Sequence, residues 1–149
     1  MMQSKTFSRS LCVALLIVAA GCGNRPADTG GTAGTSGTTA VKVTDVSLGR
    51  GITGDKAISD STDKFRAGDT IYASVTTDGS APSATLRARW TFEDGQTVDE
   101  STRTIAPSTR ERTEFHIAKP NGWPVGKYKV EVFLNDRSAG TKTFEVQAQ

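Results

Sequence analysis

One histidine, two cysteines and sixteen carboxylates are the side chains from which this 149-residue chain could assemble an active centre. His116 lies in Glu114-Phe115-His116-Ile117, where apolar and polar residues alternate, so a strand would bury Phe115 and Ile117 and turn the histidine outward. A lone outward histidine excludes a histidine pair and a His-rich metal site, and it reads as an ordinary surface residue. Asp55, Asp60, Asp63 and Asp69 gather in one irregular stretch. Calcium takes six to eight oxygens, and an Asp-rich loop can supply several, yet these spacings match no EF-hand and Asp is also a common turn residue. Carboxylate pairs for glycoside hydrolysis can be drawn from so many acids that none is singled out. No catalytic residue, metal ligand set or cofactor is therefore expected.

The residues that could position such groups begin with a leader. Lys5 and Arg9 precede an apolar run over residues 11–20 that closes on Ala19, Ala20 and Gly21, the three-part layout of a secretory signal over residues 1–21. Ten helical residues span roughly 15 Å, about half a hydrocarbon core, too short for a comfortable transmembrane helix. Val18-Ala19-Ala20-Gly21-Cys22 resembles the bacterial lipobox, although Ala19 stands where Leu is usual. That resemblance implies cleavage after Gly21, diacylglyceryl attachment to the Cys22 thiol and acylation of the new amino terminus. Two or three acyl chains make such an anchor effectively permanent. Gly23, rather than Asp, after the cysteine implies the outer membrane if the envelope has two membranes. The small residues at 18–20 also fit an ordinary signal peptidase cut, which would leave Cys22 as a free thiol.

Removal of the leader takes Lys5 and Arg9 from the 18 basic residues, leaving them balanced against the 16 acidic ones. A neutral mature chain offers no basic stripe for nucleic acid. Cys12 leaves with the leader, so Cys22 remains as the single thiol and no intrachain disulfide can form. Residues 23–40 hold no large apolar side chain and read as a soft Gly/Thr/Ser-rich tether behind Cys22, with a typical reach of roughly 20–25 Å. Residues 41–149 then form one domain.

Period-two alternation dominates that domain. Ala84, Leu86, Ala88, Trp90 and Phe92 share one face against Thr85, Arg87, Arg89 and Thr91. Similar runs cover 41–48, 71–76, 114–117, 127–134 and 143–146, and no stretch keeps helical periodicity for three turns. Glu93-Asp94-Gly95 predicts a three-residue hairpin loop with Gly95 left-handed, a register that sets Val98 beside Trp90 and Asp99 opposite Arg89. Residues 135–140 join the last two strands as a hairpin. The sequence thus predicts an all-β domain of seven antiparallel strands that resembles an immunoglobulin-like or fibronectin type III-like sandwich. The run from Phe65 to Tyr72 resembles the turn leading into a strand of bacterial Ig-like domains. The run from Pro120 to Tyr128 is similar to the loop before strand F, where Tyr128 would act as the tyrosine corner.

Among the aromatics, Trp90 belongs to the inner row. Trp123, between Gly122 and Pro124, is expected to cap one end of the sandwich or to anchor a partner or sugar ring. Tyr72 and Phe133 fall on outward faces and would form a contact patch if they sat together. The expected protein is a lipid-anchored, non-catalytic Ig-like module, held to a membrane through Cys22 and engaging an envelope protein. The alternative is a ligand-binding module for carbohydrate or calcium, built on the Trp123 loop or the Asp-rich 55–69 segment.

Overall fold

In the computed structural model, which describes residues 39–148, eight strands fold into two packed sheets. The strands are β1 (Lys42–Gly49), β2 (Lys64–Arg66), β3 (Ile71–Asp78), β4 (Ala84–Phe92), β5 (Gln96–Ile105), β6 (Glu111–Ile117), β7 (Gly126–Leu134) and β8 (Arg137–Gln147). One sheet has the order β1-β3-β6 and the other β2-β8-β7-β4-β5. The seven anticipated strands are all present. The addition is β2, whose three residues run parallel to the end of β8 while every other strand pair is antiparallel. The leader, Cys22 and all but the last two residues of the tether lie outside the described residues.

Alternation becomes burial as a one-face-in strand requires. Leu86, Ala88 and Trp90 of β4 and Val130 and Val132 of β7 are fully buried, whereas Arg87, Arg89 and Glu131 face outward. β3, the middle strand of the smaller sheet, is covered on both sides: its outward Ser74 is buried and its Oγ donates to the Lys56 carbonyl at 2.6 Å. That contact explains the irregular stretch after β1. Residues 50–62 fold back over the outer face of the smaller sheet as a minimal hairpin, with bridges Gly49↔Ser61 and Ile52↔Ile58 and Lys56 at φ +63° in its turn. The chain then crosses to the larger sheet, where buried Phe65 of β2 meets Phe144 edge-on at 5.4 Å.

Phe144 is the hub of the core. Trp90 approaches it edge-on at 5.9 Å and Tyr128 stacks on it at 5.2 Å, 13° from parallel. Full burial of a large apolar side chain contributes about 1.5–3 kcal/mol, and each aromatic pair adds about 0.5–1.5 kcal/mol. Tyr128 also forms the anticipated corner, donating its hydroxyl to the Pro124 carbonyl at 2.8 Å. Burial, with a smaller contribution from the Glu93 charge, pushes its phenol above the ordinary value.

The β4–β5 loop has the anticipated length: Phe92 pairs with Gln96, and Gly95 takes φ +102°. The register beyond it differs. A bulge at Val98 moves every later residue along by one, so Trp90 pairs with Asp99 and Arg89 with Glu100. Val98 remains half-buried against the core, its bulged position replacing the pairing with Trp90 that an unbroken ladder would make.

Tyr128→Phe keeps the ring stack and removes the corner hydrogen bond. It should lower stability by about 1 kcal/mol, seen as a reduced denaturant midpoint with an unchanged slope.

Candidate interaction surfaces

The residues that could meet a partner are distributed over two faces, one end and one flank. On the outer face of the larger sheet, Phe133 of β7 lies across from Arg87 of β4. The Arg87 and Arg89 guanidinium carbons stand 4.3 and 5.2 Å from its ring centroid. Each such contact is worth about 0.5–1 kcal/mol where exposed. Glu100 on β5 clamps both arginines, accepting from Arg89 Nε at 2.6 Å and lying 3.4 Å from Arg87 Nη1. Asp136 adds a contact to Arg87 Nη2 at 3.3 Å. Hydrogen bonding from Arg89 is the main cause that holds the Glu100 carboxyl below its ordinary value, with the charges of Arg89 and Arg87 acting in the same direction.

Tyr72 lies on the opposite outer face. It pairs across β3 and β6 with His116, the two rings 5.5 Å apart, and His116 Nδ1 is 2.5 Å from Glu114 Oε1. Tyr72 and Phe133 therefore form no common patch, because β3 and β7 belong to different sheets and both side chains point away from the shared core. His116 is exposed on its strand, as alternation requires.

Trp123 is not an exposed anchor. It is 6 % exposed, its Nε1 donates to the Asp69 carbonyl at 2.9 Å, and its ring meets Tyr128 edge-on at 5.9 Å. Together with the bond from Trp123 N–H to the Ala67 carbonyl at 2.7 Å, this latches the β6–β7 loop to the β2–β3 turn. The exposed apolar residue of that loop is Val125, 58 % accessible. Its signal in the sequence was a valine wedged between Pro124 and Gly126, outside any alternating run.

The four aspartates do not converge on one point. Asp55 pairs with Arg112 at 3.1 Å and is held below its ordinary value chiefly by the Thr53 hydroxyl. Asp60 pairs with Arg50 at 3.0 Å, and Asp69 Oδ2 accepts the Arg66 N–H at 2.9 Å and lies 3.8 Å from Arg50 Nη1, so these two share one guanidinium. Asp63 lines a separate groove. Among the described residues no three His, Cys, Asp or Glu side chains converge on a metal position.

Two open grooves lie beside these residues. One, of 660 Å³, runs over the end of the larger sheet between the Glu93–Asp94 loop and β2, with Thr91, Lys129 and Thr143 as its floor. The other, of 580 Å³, lies on the flank between the sheets, lined by Thr97 and Asp99 of β5, His116 of β6, Lys119 and the edge of Trp123.

Two sheets packed around one core, with a tyrosine corner and this strand order, define an immunoglobulin-like β-sandwich. The fold is shared with an immunoglobulin-like protein from Pseudomonas aeruginosa, at a TM-score of 0.50 and 18 % identity over 74 % of this chain and 99 % of that one. Weaker likenesses include the CARDB domain of a Pyrococcus furiosus protein crystallised with di-metal ions (TM-score 0.47, 12 % identity, 76 % and 90 % coverage). A β-glucosidase from Listeria innocua is another (0.49, 8 %, 72 % of this chain and 16 % of that one). No family model matches the sequence, and no curated protein matches it.

The clamp on the arginines makes stability depend on pH in a defined direction. A carboxyl depressed in the folded state contributes stability that is present above its ordinary value near 4.5 and is lost as pH falls through the lower folded value. Glu100→Gln should therefore flatten the decline of the urea midpoint below about pH 4.5 relative to the parent chain.

Proposed function

We propose that this chain is a lipid-anchored envelope module, tethered through Cys22, whose Ig-like domain binds a protein partner without catalysis. The observation that carries the reading is the polarity of the domain. The chain reaches it at the start of β1, where Lys42 pairs with Asp78, beside the turns that follow β3, β5 and β7. The β4–β5 loop, the β6–β7 loop with Val125 and the 660 Å³ groove all lie at the opposite end. A tether that enters at the start of β1 leaves these features at the other end of the domain, open to a partner. The three-part leader and the small residues before Cys22 support the anchor, and Gly23 supports the outer membrane in a two-membrane envelope.

A protein partner is favoured over a small ligand by the form of the surface. Both grooves are open and bear mixed charge, both tryptophans are buried, Phe133 is covered by arginines and half-exposed Tyr72 lies beside His116, outside either groove's aromatic lining. The aspartates offer calcium no shared cage.

Two experiments test these parts separately. Cys22→Ser should move the protein from the membrane to the soluble fraction, and continued membrane retention would overturn the anchor. Crosslinking in the native host should capture a reproducible partner through the far-end loops. A rise in melting temperature with calcium or glycans, which requires preferential binding to the folded state, would instead favour the ligand-binding reading.

A further inference from the structure

β5 ends the larger sheet, and among the described residues no strand lies on its other side. The direction of its backbone groups follows from one residue of its neighbour. Thr85 of β4 turns both groups toward β7: its N–H donates to Asn135 Oδ1 at 2.9 Å and its carbonyl accepts from Asn135 N–H at 2.8 Å. Direction alternates along a strand, so Leu86 and Ala88 turn the other way and bond their register partners Arg103 and Ser101. The backbone groups left facing the open side are those of Glu100, Thr102 and Thr104.

Two charges flank this open ladder. Asp99 and Arg103 are exposed, share one side of the strand and lie equally far from Ser101. Among the described residues neither forms an ion pair. In an antiparallel pair of β5 strands, facing residues must both turn their backbone groups toward the gap or both away from it. Centring the pair on Asp99, Glu100 or Arg103 sets that charge against its own copy. Centring it on Thr102 leaves Asp99 opposite Ile105. Centring it on Ser101 lets Glu100 and Thr102 exchange backbone bonds across the gap. It also sets Asp99 against Arg103 of the second copy, twice by symmetry, at narrow positions where side chains approach closest. The bulge at Val98 ends the pairing on one side.

We propose that β5 is a self-association edge, on which two copies of this chain pair antiparallel about Ser101 and continue the larger sheet across a two-fold axis. Charges on an edge strand commonly keep edges apart, but these two are of opposite sign and symmetric about one residue, a pattern that pairs both charges only in the Ser101 register. The proposal does not depend on the anchor, because the edge exists whether or not Cys22 is lipidated.

The test uses the full chain carrying Cys12→Ser and Cys22→Ser, so that neither lipid nor a native thiol takes part. Light scattering over a dilution series should show a monomer–dimer equilibrium. Asp99→Arg should raise the dimer dissociation constant by about tenfold or more, and adding Arg103→Asp should restore it, which separates charge from misfolding. Ser101→Cys should crosslink to its copy under mild oxidant, because narrow-pair spacing suits a disulfide, whereas Thr104→Cys should not. A monomer at every concentration would overturn the proposal. So would a dimer indifferent to Asp99→Arg, a double variant that fails to recover, or a dimer that Ser101→Cys does not trap.

Discussion

Residues 39–148 contain no cysteine, so the contact between the two sheets rests on packing alone. The cluster centred on Phe144 is the aromatic layer that the larger sheet contributes to that core. Phe65, Trp90 and Tyr128 each meet its ring within 6 Å, and they come from three other strands of the larger sheet, β2, β4 and β7. Phe65 thereby fixes where the chain crosses between sheets. Tyr128 extends the cluster toward the domain end, because its ring supports Trp123 and its hydroxyl holds the Pro124 carbonyl. The positions of the far-end loops depend on this one row of rings.

The two flanks of the sandwich differ in a way that decides where other molecules can approach. On one flank β1 packs against β8 so closely that a Cβ at Gly140 would come within 2.9 Å of Val46 Cγ2, and β2 covers the end of β8. A smaller groove of about 220 Å³ remains between β1 and β8 on that side. On the other flank β5 and β6 are both terminal strands, and the 580 Å³ groove runs between them. The outer faces are finished differently again. Residues 50–62 cover part of the smaller sheet, while on the larger one Phe133 is shielded by arginines held in place by Glu100. Apolar surface on the two outer faces is thus covered rather than absent.

Much of the fold was legible because alternation is a local signal. Ala84 to Phe92 announces one buried face, and burying Trp90 while exposing Arg89 leaves few choices of sheet side. The corner at Tyr128 was legible only through the resemblance of residues 120–128 to the loop that enters strand F of Ig-like sandwiches. β2 was not, because three residues are too few to show a period, and Phe65 is buried by its distant partner Phe144. The bulge at Val98 also escaped, as nothing in Thr97-Val98-Asp99 distinguishes a bulged residue from a paired one. Burial of the Trp90 and Val98 side chains is compatible with both registers.

The residues alone determine an all-β domain and the sidedness of nearly every strand, and they carry the expectation of a leader that ends before Cys22. These follow from composition and from a period of two, which need no knowledge of distant neighbours. Tertiary structure alone decides which outward residues share a surface. Tyr72 and Phe133 look equivalent in sequence yet lie on opposite faces, because membership of a sheet depends on long-range pairing. Trp123 is buried because Ala67 and Asp69, more than fifty residues earlier, supply the carbonyls that hold it. The aspartates are sorted by partners near them in space: Arg112 takes Asp55, while Arg50 lies between Asp60 and Asp69 and the Arg66 amide also bonds Asp69.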